Sequence, residues 1–282
     1  LRKLCGQTGL LPAGSILSDE IELPMTGPSA AGGFGDVWKA RCAGQIVALK
    51  TPRAFMRSSD RLSKNLCREA AVWRKLKHAN IAKFLGVYRN AVQGIDLAMV
   101  SQWHDNGNVN AYLLKRPRVN RLELALDVAS GLRYLHTNYL VHGDIKGANV
   151  LVDDEGRAQL TDFGLTAVMY ESDAIGGLTT ASFHDGSSRW MAPELYVGSV
   201  RLTPESDVYA FSMLLFEIYA GQPPFHSCRT DAQVFLMVLR GERPVRTVEA
   251  TLNGLAPQTW GLMEKCWAQR PGDRPNLYDI SR

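Results

Sequence analysis

His142-Gly143-Asp144-Ile145-Lys146-Gly147-Ala148-Asn149, with Asp162-Phe163-Gly164 beginning thirteen positions after Asn149, is the stretch on which the fold turns. It supplies a carboxylate able to accept a hydroxyl proton (Asp144), an ammonium group (Lys146), and two oxygen ligands for a hard cation (Asn149 and Asp162). Mg²⁺ takes carboxylate and amide oxygens and keeps some waters. A transferring phosphoryl group carries charge on its oxygens, so a protein serves it mainly by position and positive charge. Asp-Phe-Gly alone is three common residues, and a lone His-x-Asp is compatible with a turn. The ordered pair, with the apolar, strand-like Val150-Leu151-Val152 between, points to a phosphoryl-transfer site.

Such a site needs a nucleotide cradle and a phosphate-binding lysine upstream. Ala31-Gly32-Gly33-Phe34-Gly35-Asp36-Val37 is a glycine-rich turn leading into Trp38-Lys39-Ala40. Glycines let backbone N–H groups approach phosphate oxygens. The match to G-x-G-x-x-G-x-V is partial, because Ala30 takes the first glycine's place, and an ordinary hairpin turn explains these residues equally well. Ten residues after Val37, Val47-Ala48-Leu49-Lys50 alternates apolar residues and ends in a lysine. That spacing puts Lys50 on the strand after the hairpin, under the loop; a solvated strand-end lysine is the alternative. In the following stretch, Leu66, Ala70, Trp73 and Leu76 share one helix face. Glu69 sits beside that face and can turn inward to Lys50, or pair at the surface with Arg68.

With these motifs in order, the chain resembles a eukaryotic protein kinase domain of the tyrosine-kinase-like serine/threonine group. The resemblance runs from about Ile21 to the end and includes Ala192-Pro193-Glu194, Asp207 and Arg274. It implies an α+β bilobal fold, with a small antiparallel-sheet N-lobe carrying one main helix and a larger, mainly helical C-lobe. It implies ATP and Mg²⁺ as cofactors and protein substrates as partners. Lys50 would hold the α- and β-phosphates and pair with Glu69, Asp144 would be the catalytic base, and Lys146 would touch the γ-phosphate. Asn149 and Asp162 would bind Mg²⁺. Ala30, Gly32, Gly33 and Gly35 would cradle phosphates, and Val37, Ala48 and Leu151 would enclose adenine. Gln102, Trp103 and His104 would form the hinge, preceded by the small Ser101. Trp73, Phe84, His142 and Phe163 would form a stacked spine. Glu194 would pair with Arg274. Asp207, inside an apolar helix, would anchor the catalytic loop, and because an unpaired buried carboxylate is costly it requires a backbone partner.

The resemblance divides the chain into a lead-in (1–20), an N-lobe (21–101), a hinge (102–104) and a C-lobe (105–282). Residues 1–20, with Gly6, Gly9, Pro12 and Gly14, read as flexible or packed on the surface. Periodicity predicts helices over 109–114, 122–139, 209–220, 232–239 and 259–267, the third stopped by Gly221 and Pro223-Pro224. Trp267 reads as core. There are no internal repeats.

With 282 residues, 45% of them apolar, the chain can bury a large core. The charge of +4 (32 basic minus 28 acidic) does not argue for nucleic acid. Arg53, Arg57, Arg61, Lys64 and Arg68 recur at three to four residue spacing, as a solvated helix face or as a surface for an acidic partner. Cys5, Cys42, Cys67, Cys228 and Cys266 are odd in number and lack metal-ligand spacing, which fits reduced thiols in a cytoplasmic or nuclear protein. No apolar run reaches membrane-spanning length; 209–220 is interrupted by Ser212 and Glu217. No signal peptide is visible, and a chain beginning at Leu1 reads as part of something longer. Oligomeric state is not encoded in any recognisable motif.

Several positions depart from the family pattern. Gly143 stands where Arg usually pairs with an activation-segment phosphate, so dependence on such a phosphate should be weak. The 33 residues from Asp162 to Glu194 contain Tyr170, Thr179, Thr180, Ser182, Ser187 and Ser188, hydroxyls open to modification and equally ordinary in a polar loop. Lys146 follows the serine/threonine pattern, whereas Arg189-Trp190-Met191 resembles tyrosine kinases, so Ser/Thr specificity with dual specificity as a variant is the reading. Trp73 is larger than the usual aliphatic residue and should restrain its helix. A catalytically silent scaffold would require a broken member among Lys50, Glu69, Asp144, Asn149 and Asp162, and none is broken. A small-molecule kinase shares the His-Gly-Asp triplet but not Ala192-Pro193-Glu194, Asp207 or Arg274.

Overall fold

The computed structural model describes residues 5, 8, 10–12, 14–24, 27–32, 35–51, 60–90, 95–168, 186–197 and 201–280. Gly33, Arg53, Arg57, Tyr170, Thr179, Thr180 and Ser182 lie outside them. The chain forms two compact units, one of residues 1–77 and 81–104, the other of residues 78–80 and 105–282.

The first unit is built on an antiparallel sheet, with a helix packed on it between the fourth and fifth strands in chain order. Its strands are β1 (Ile21–Glu22), β2 (Ala30–Gly32), β3 (Gly35–Cys42), β4 (Gln45–Thr51), β5 (Phe84–Asn90) and β6 (Ile95–Gln102). They lie in the order β1-β3-β4-β6-β5, with β2 also paired to β3. Period-2 alternation sorts β4 cleanly. Val47 and Leu49 enter a core with Ile21, Ala40, Tyr88, Ala98 and Val100, while Ala48 and Lys50 point to the other face. Residues directly opposite across an antiparallel ladder share a face. The pairs Val37↔Lys50, Ala48↔Ser101 and Lys50↔Met99 therefore gather Val37, Ala48, Lys50 and Ser101 on one side of the sheet.

Helix α1 (Asp60–Trp73) covers that side, with Cys67, Ala70, Ala71 and Trp73 buried. Trp73 Nε1 donates to the Ala82 carbonyl at 2.7 Å, and its ring lies 5.3 Å from Phe84. An aliphatic residue could pack there but could not make that hydrogen bond, so the tryptophan pins the end of α1.

The lead-in is surface-packed at its end. Ser15 and Leu17 pair with both backbone groups of Val87, at 2.7 and 2.9 Å, in a parallel bridge on the outer side of β5. Ser15 is buried and accepts from Arg74 Nη1 at 3.1 Å. Gly86 permits this approach, since a Cβ there would lie 2.8 Å from the Leu17 side chain.

The second unit is mainly helical. It contains α2 (Val109–Lys115), α3 (Arg121–Thr137), α4 (Pro204–Ala220), α5 (Asp231–Leu239), α6 (Val248–Leu252), α7 (Pro257–Cys266) and α8 (Leu277–Ile280). Two short antiparallel pairs join them: β7 (Leu140–Val141) with β10 (Ala167–Val168), and β8 (Val150–Val152) with β9 (Ala158–Leu160). Helix α4 is apolar all round and buried from Ser206 to Ala220, as a central core helix must be. It begins earlier than its apolar pattern shows, because Thr203 caps it in a capping box with Ser206, and Pro204 occupies the first turn. Gly221 ends it at φ 68°. Trp267 is buried and meets Trp260 edge-on at 5.3 Å. No described helix is long and apolar enough to cross a membrane.

Candidate active site

The His142 end of the loop that runs to Asn149 hangs from α4 by the carboxylate of Asp207. Asp207, 1% exposed, accepts from the backbone N–H groups of His142 (2.8 Å) and Gly143 (2.9 Å), and lies 2.9 Å from His136 Nε2. The backbone partners are those that the cost of burying a carboxylate demands. His136, in the last turn of α3, gives no sequence signal of this role.

His142 is fully buried and fixes the loop from inside. Its Nδ1 accepts from the Asp144 N–H at 3.2 Å, which leaves Nε2 to donate to the Thr161 carbonyl at 3.0 Å. Its ring lies 5.3 Å from Phe163. This pair and the Trp73–Phe84 pair each form within one unit.

The geometry brings three predicted residues together. Asp144 Oδ2 lies 2.9 Å from Lys146 Nζ and 2.8 Å from Asn149 Nδ2. Asn149 Nδ2 also donates to the Asp144 carbonyl at 2.8 Å, so the amide's oxygen is the atom left for a ligand. The Asp162 side follows from the β8–β9 ladder: just beyond the Val150↔Leu160 pair, the Thr161 N–H donates to the Asn149 carbonyl at 3.0 Å. Asp162 follows with φ 64°, a conformation uncommon for a non-glycine residue. Among the described residues, no three His, Cys, Asp or Glu side chains form a self-sufficient metal site. An amide oxygen and a carboxylate are the kind of ligands Mg²⁺ takes, so Asn149 and Asp162 fit such an ion.

Ser187 joins the cluster, its Oγ accepting from Lys146 Nζ at 2.6 Å. The sequence offers Ser187 as a hydroxyl open to modification or ordinary in a polar loop and carries no signal of this contact. Ser188 donates to Asp231 at 2.6 Å, and Arg189 donates to the carbonyls of Pro224, Phe225 and Cys228, fixing the turn to the start of α5. A cavity of about 20 Å³ lies beside Asp144, lined also by Gly143, Ser187, Trp190, Met191 and Leu195. Farther out, Arg274 grips Glu194 with two nitrogens at 2.7 and 2.8 Å.

Gly143 sits at φ 83°, and a Cβ there would lie 2.5 Å from the buried Leu202 side chain. Leu202 thus closes the space beside the position where the family usually carries Arg. Gly143→Ala should cost about 1–3 kcal/mol, read as a lower unfolding midpoint. An unchanged midpoint would show that the backbone relaxes there without penalty.

In the first unit, Lys50 Nζ lies 3.9 Å from Glu69 Oε1, and both side chains are largely buried. Ala30, Ala31 and Gly32 pair with Val37, Asp36 and Gly35, so β2 and β3 run antiparallel. Gln102 still belongs to β6, paired with Val47, and its N–H donates to Lys83. Lys39 lies over the Trp103 ring at 5.3 Å, and His104 is buried. In the second unit, Leu151 on β8 bridges to Asn108.

Residues 28–282 match the sequence model of the family described as protein tyrosine and serine/threonine kinase. The fold is the bilobal protein-kinase fold, and the chain belongs to this family. It is 31% identical over 256 residues to serine/threonine-protein kinase STY17 of Arabidopsis thaliana, covering 89% of this chain and 42% of that protein. It is 31% identical over 220 residues to human serine/threonine-protein kinase TNNI3K, covering 76% and 26%. It is 29% identical over 293 residues to dual specificity protein kinase shkD of Dictyostelium discoideum, covering 99% and 35%. The chain therefore spans less than half the length of each of these relatives.

Proposed function

We propose that this domain transfers the γ-phosphoryl group of ATP to serine and threonine hydroxyls of protein substrates, with tyrosine as a further acceptor. What carries the reading is the buried carboxylate of Asp144, held within 2.9 Å of Lys146 and 2.8 Å of Asn149. Asp144 would take the proton from the acceptor hydroxyl as its oxygen bonds to the γ-phosphorus and the bond to the β-phosphate oxygen breaks. Lys146 would balance charge on the transferring group, and Lys50, oriented by Glu69, would hold the α- and β-phosphates. Asn149 and Asp162 would hold Mg²⁺, which when bound offsets phosphate charge.

Backbone groups around Ala30, Gly32, Gly33 and Gly35 would receive the phosphates. Val37, Ala48 and Leu151 would enclose the adenine. The hinge Gln102, Trp103 and His104 would hydrogen-bond its edge, and Ser101 would leave room behind it. The domain boundaries read from the sequence go with these roles. The serine/threonine names of STY17 and TNNI3K support the acceptor class, and that of shkD supports the wider one. Free cysteines support a cytoplasmic setting, and burial pushes the Cys266 thiol up to about 12, which keeps it inert. Mild charge supports a protein partner rather than a nucleic acid. Because Gly143 brings no cation where the family usually carries Arg, activity should depend only weakly on an activation-segment phosphate.

The test is incubation with Mg-ATP and generic protein substrates, read by mass spectrometry, alongside a Mg-ATP thermal shift. New phosphoserine and phosphothreonine are the expected result. A thermal shift without turnover would indicate a scaffold, since ligand at 100 times its Kd stabilises by about 2.7 kcal/mol whether or not it reacts. Phosphorylation of small alcohols or amines alone would indicate a small-molecule kinase.

A further inference from the structure

Glu217 is a buried carboxylate that the roles above leave unused. It stands in an otherwise apolar run of α4 and is 5% exposed. Oε1 accepts from Asn110 Nδ2 at 2.6 Å. Oε2 accepts from the Gly147 N–H and from Trp190 Nε1, both at 2.9 Å. The donors come from α2, from the residue directly after Lys146, and from the turn that begins at Ser187. Burial raises the pKa of this carboxyl, against the lowering effect of its three hydrogen bonds and of the nearby Lys146 charge. An apolar side chain would avoid that desolvation cost, so the carboxylate is poorly explained as core filler.

Two strands of chain that meet at Lys146 and Ser187 meet again, on the α4 side, at Glu217. Gly147 passes so close that a Cβ would lie 2.6 Å from the Asn110 side chain and 2.7 Å from Glu217 Oε1. We propose that Glu217 is a positioning residue for phosphoryl transfer, clamping Gly147 and Trp190 so that Lys146 and Ser187 keep their places beside Asp144. The inference rests on the kinase reading above.

The test compares Glu217→Leu and Glu217→Gln in the full 282-residue chain, by steady-state kinetics well below the melting temperature and by amide hydrogen exchange. In Glu217→Leu, kcat should fall by about 10²-fold, the scale expected for a misplacement near 1 Å, while KM for ATP stays nearly constant. Exchange at the Gly147 amide should accelerate. In Glu217→Gln the amide oxygen can still accept from Gly147 and Trp190, and the Asn110 amide can turn over to accept from the new NH₂. That variant should stay within about threefold of wild type. A purely structural role would lower the melting temperature and leave kcat unchanged. A folded Leu variant with wild-type kcat, or with an equally protected Gly147 amide, overturns the proposal. Should that variant not fold, Gly147→Ala displaces the same carboxylate and must lower kcat; a neutral result overturns the proposal as well. An inactive wild type would overturn the kinase reading and this inference together. An active wild type with an indifferent Leu variant overturns this inference alone.

Discussion

Asp144→Asn should lower turnover by about 10²–10⁴-fold, the range that a positioned general base contributes. The substitution keeps the shape of the side chain and an oxygen able to accept from Lys146 Nζ and Asn149 Nδ2, which both approach Oδ2 in the wild type. What it removes is the negative charge and the capacity to take a proton. Affinity for Mg-ATP should therefore change little, and the loss should appear equally in kcat and kcat/KM. Single-turnover kinetics with a separate nucleotide-binding measurement checks both halves. Normal turnover would remove Asp144 from its role, and a large loss of nucleotide affinity would mean that it acts on binding instead.

The second large effect is expected at Asp207. Asp207→Ala strips an acceptor from the buried His142 N–H, the partly buried Gly143 N–H and His136 at once. Each of the three stranded donors costs about 1–3 kcal/mol. A loss of about 3–5 kcal/mol is a large share of a typical domain's stability. Denaturant unfolding should show it as a lower midpoint at unchanged slope. Exchange should speed up first at His142 and Gly143, whose amides lose their acceptor. A stability change below about 1 kcal/mol would mean that solvent replaces Asp207 at little cost.

Much of the site was legible because its chemistry needs particular side chains at particular distances along the chain. Periodicity of two placed Lys50 on β4 and periodicity of 3.6 placed Glu69 beside the buried face of α1, and the family resemblance favoured their contact over a surface pair with Arg68. The backbone partners of Asp207 followed from the cost of burying a carboxylate in an apolar helix. The Glu194–Arg274 pair came from the family resemblance alone.

The unread features are those whose meaning lies in distant neighbours. Glu217 reads as an interruption of an apolar helix until Asn110, Gly147 and Trp190 surround it. His136 is an ordinary helix-end histidine until the fold brings it to Asp207. Leu202 has no motif, yet it packs so close to Gly143 that a Cβ there would lie 2.5 Å from it. The start of α4 could have been placed from Thr203 and Pro204, which are local signals; the apolar run drew attention past them. The pairing of Ser15 and Leu17 with Val87 is out of reach for local periodicity, since it joins residues about seventy positions apart and involves two short contacts.

That last pairing bears on where the domain begins. The family match starts at residue 28, and a protein trimmed to that point would lose Ser15, Ile16 and Leu17. Val87 would then offer its amide and carbonyl to water along an open rim, and Arg74 would lose its hydroxyl partner. Such a rim invites strands from other molecules. Homology and backbone hydrogen bonding thus draw different borders: the family match begins at residue 28, while the sheet edge at Val87 is paired by residues 15–17.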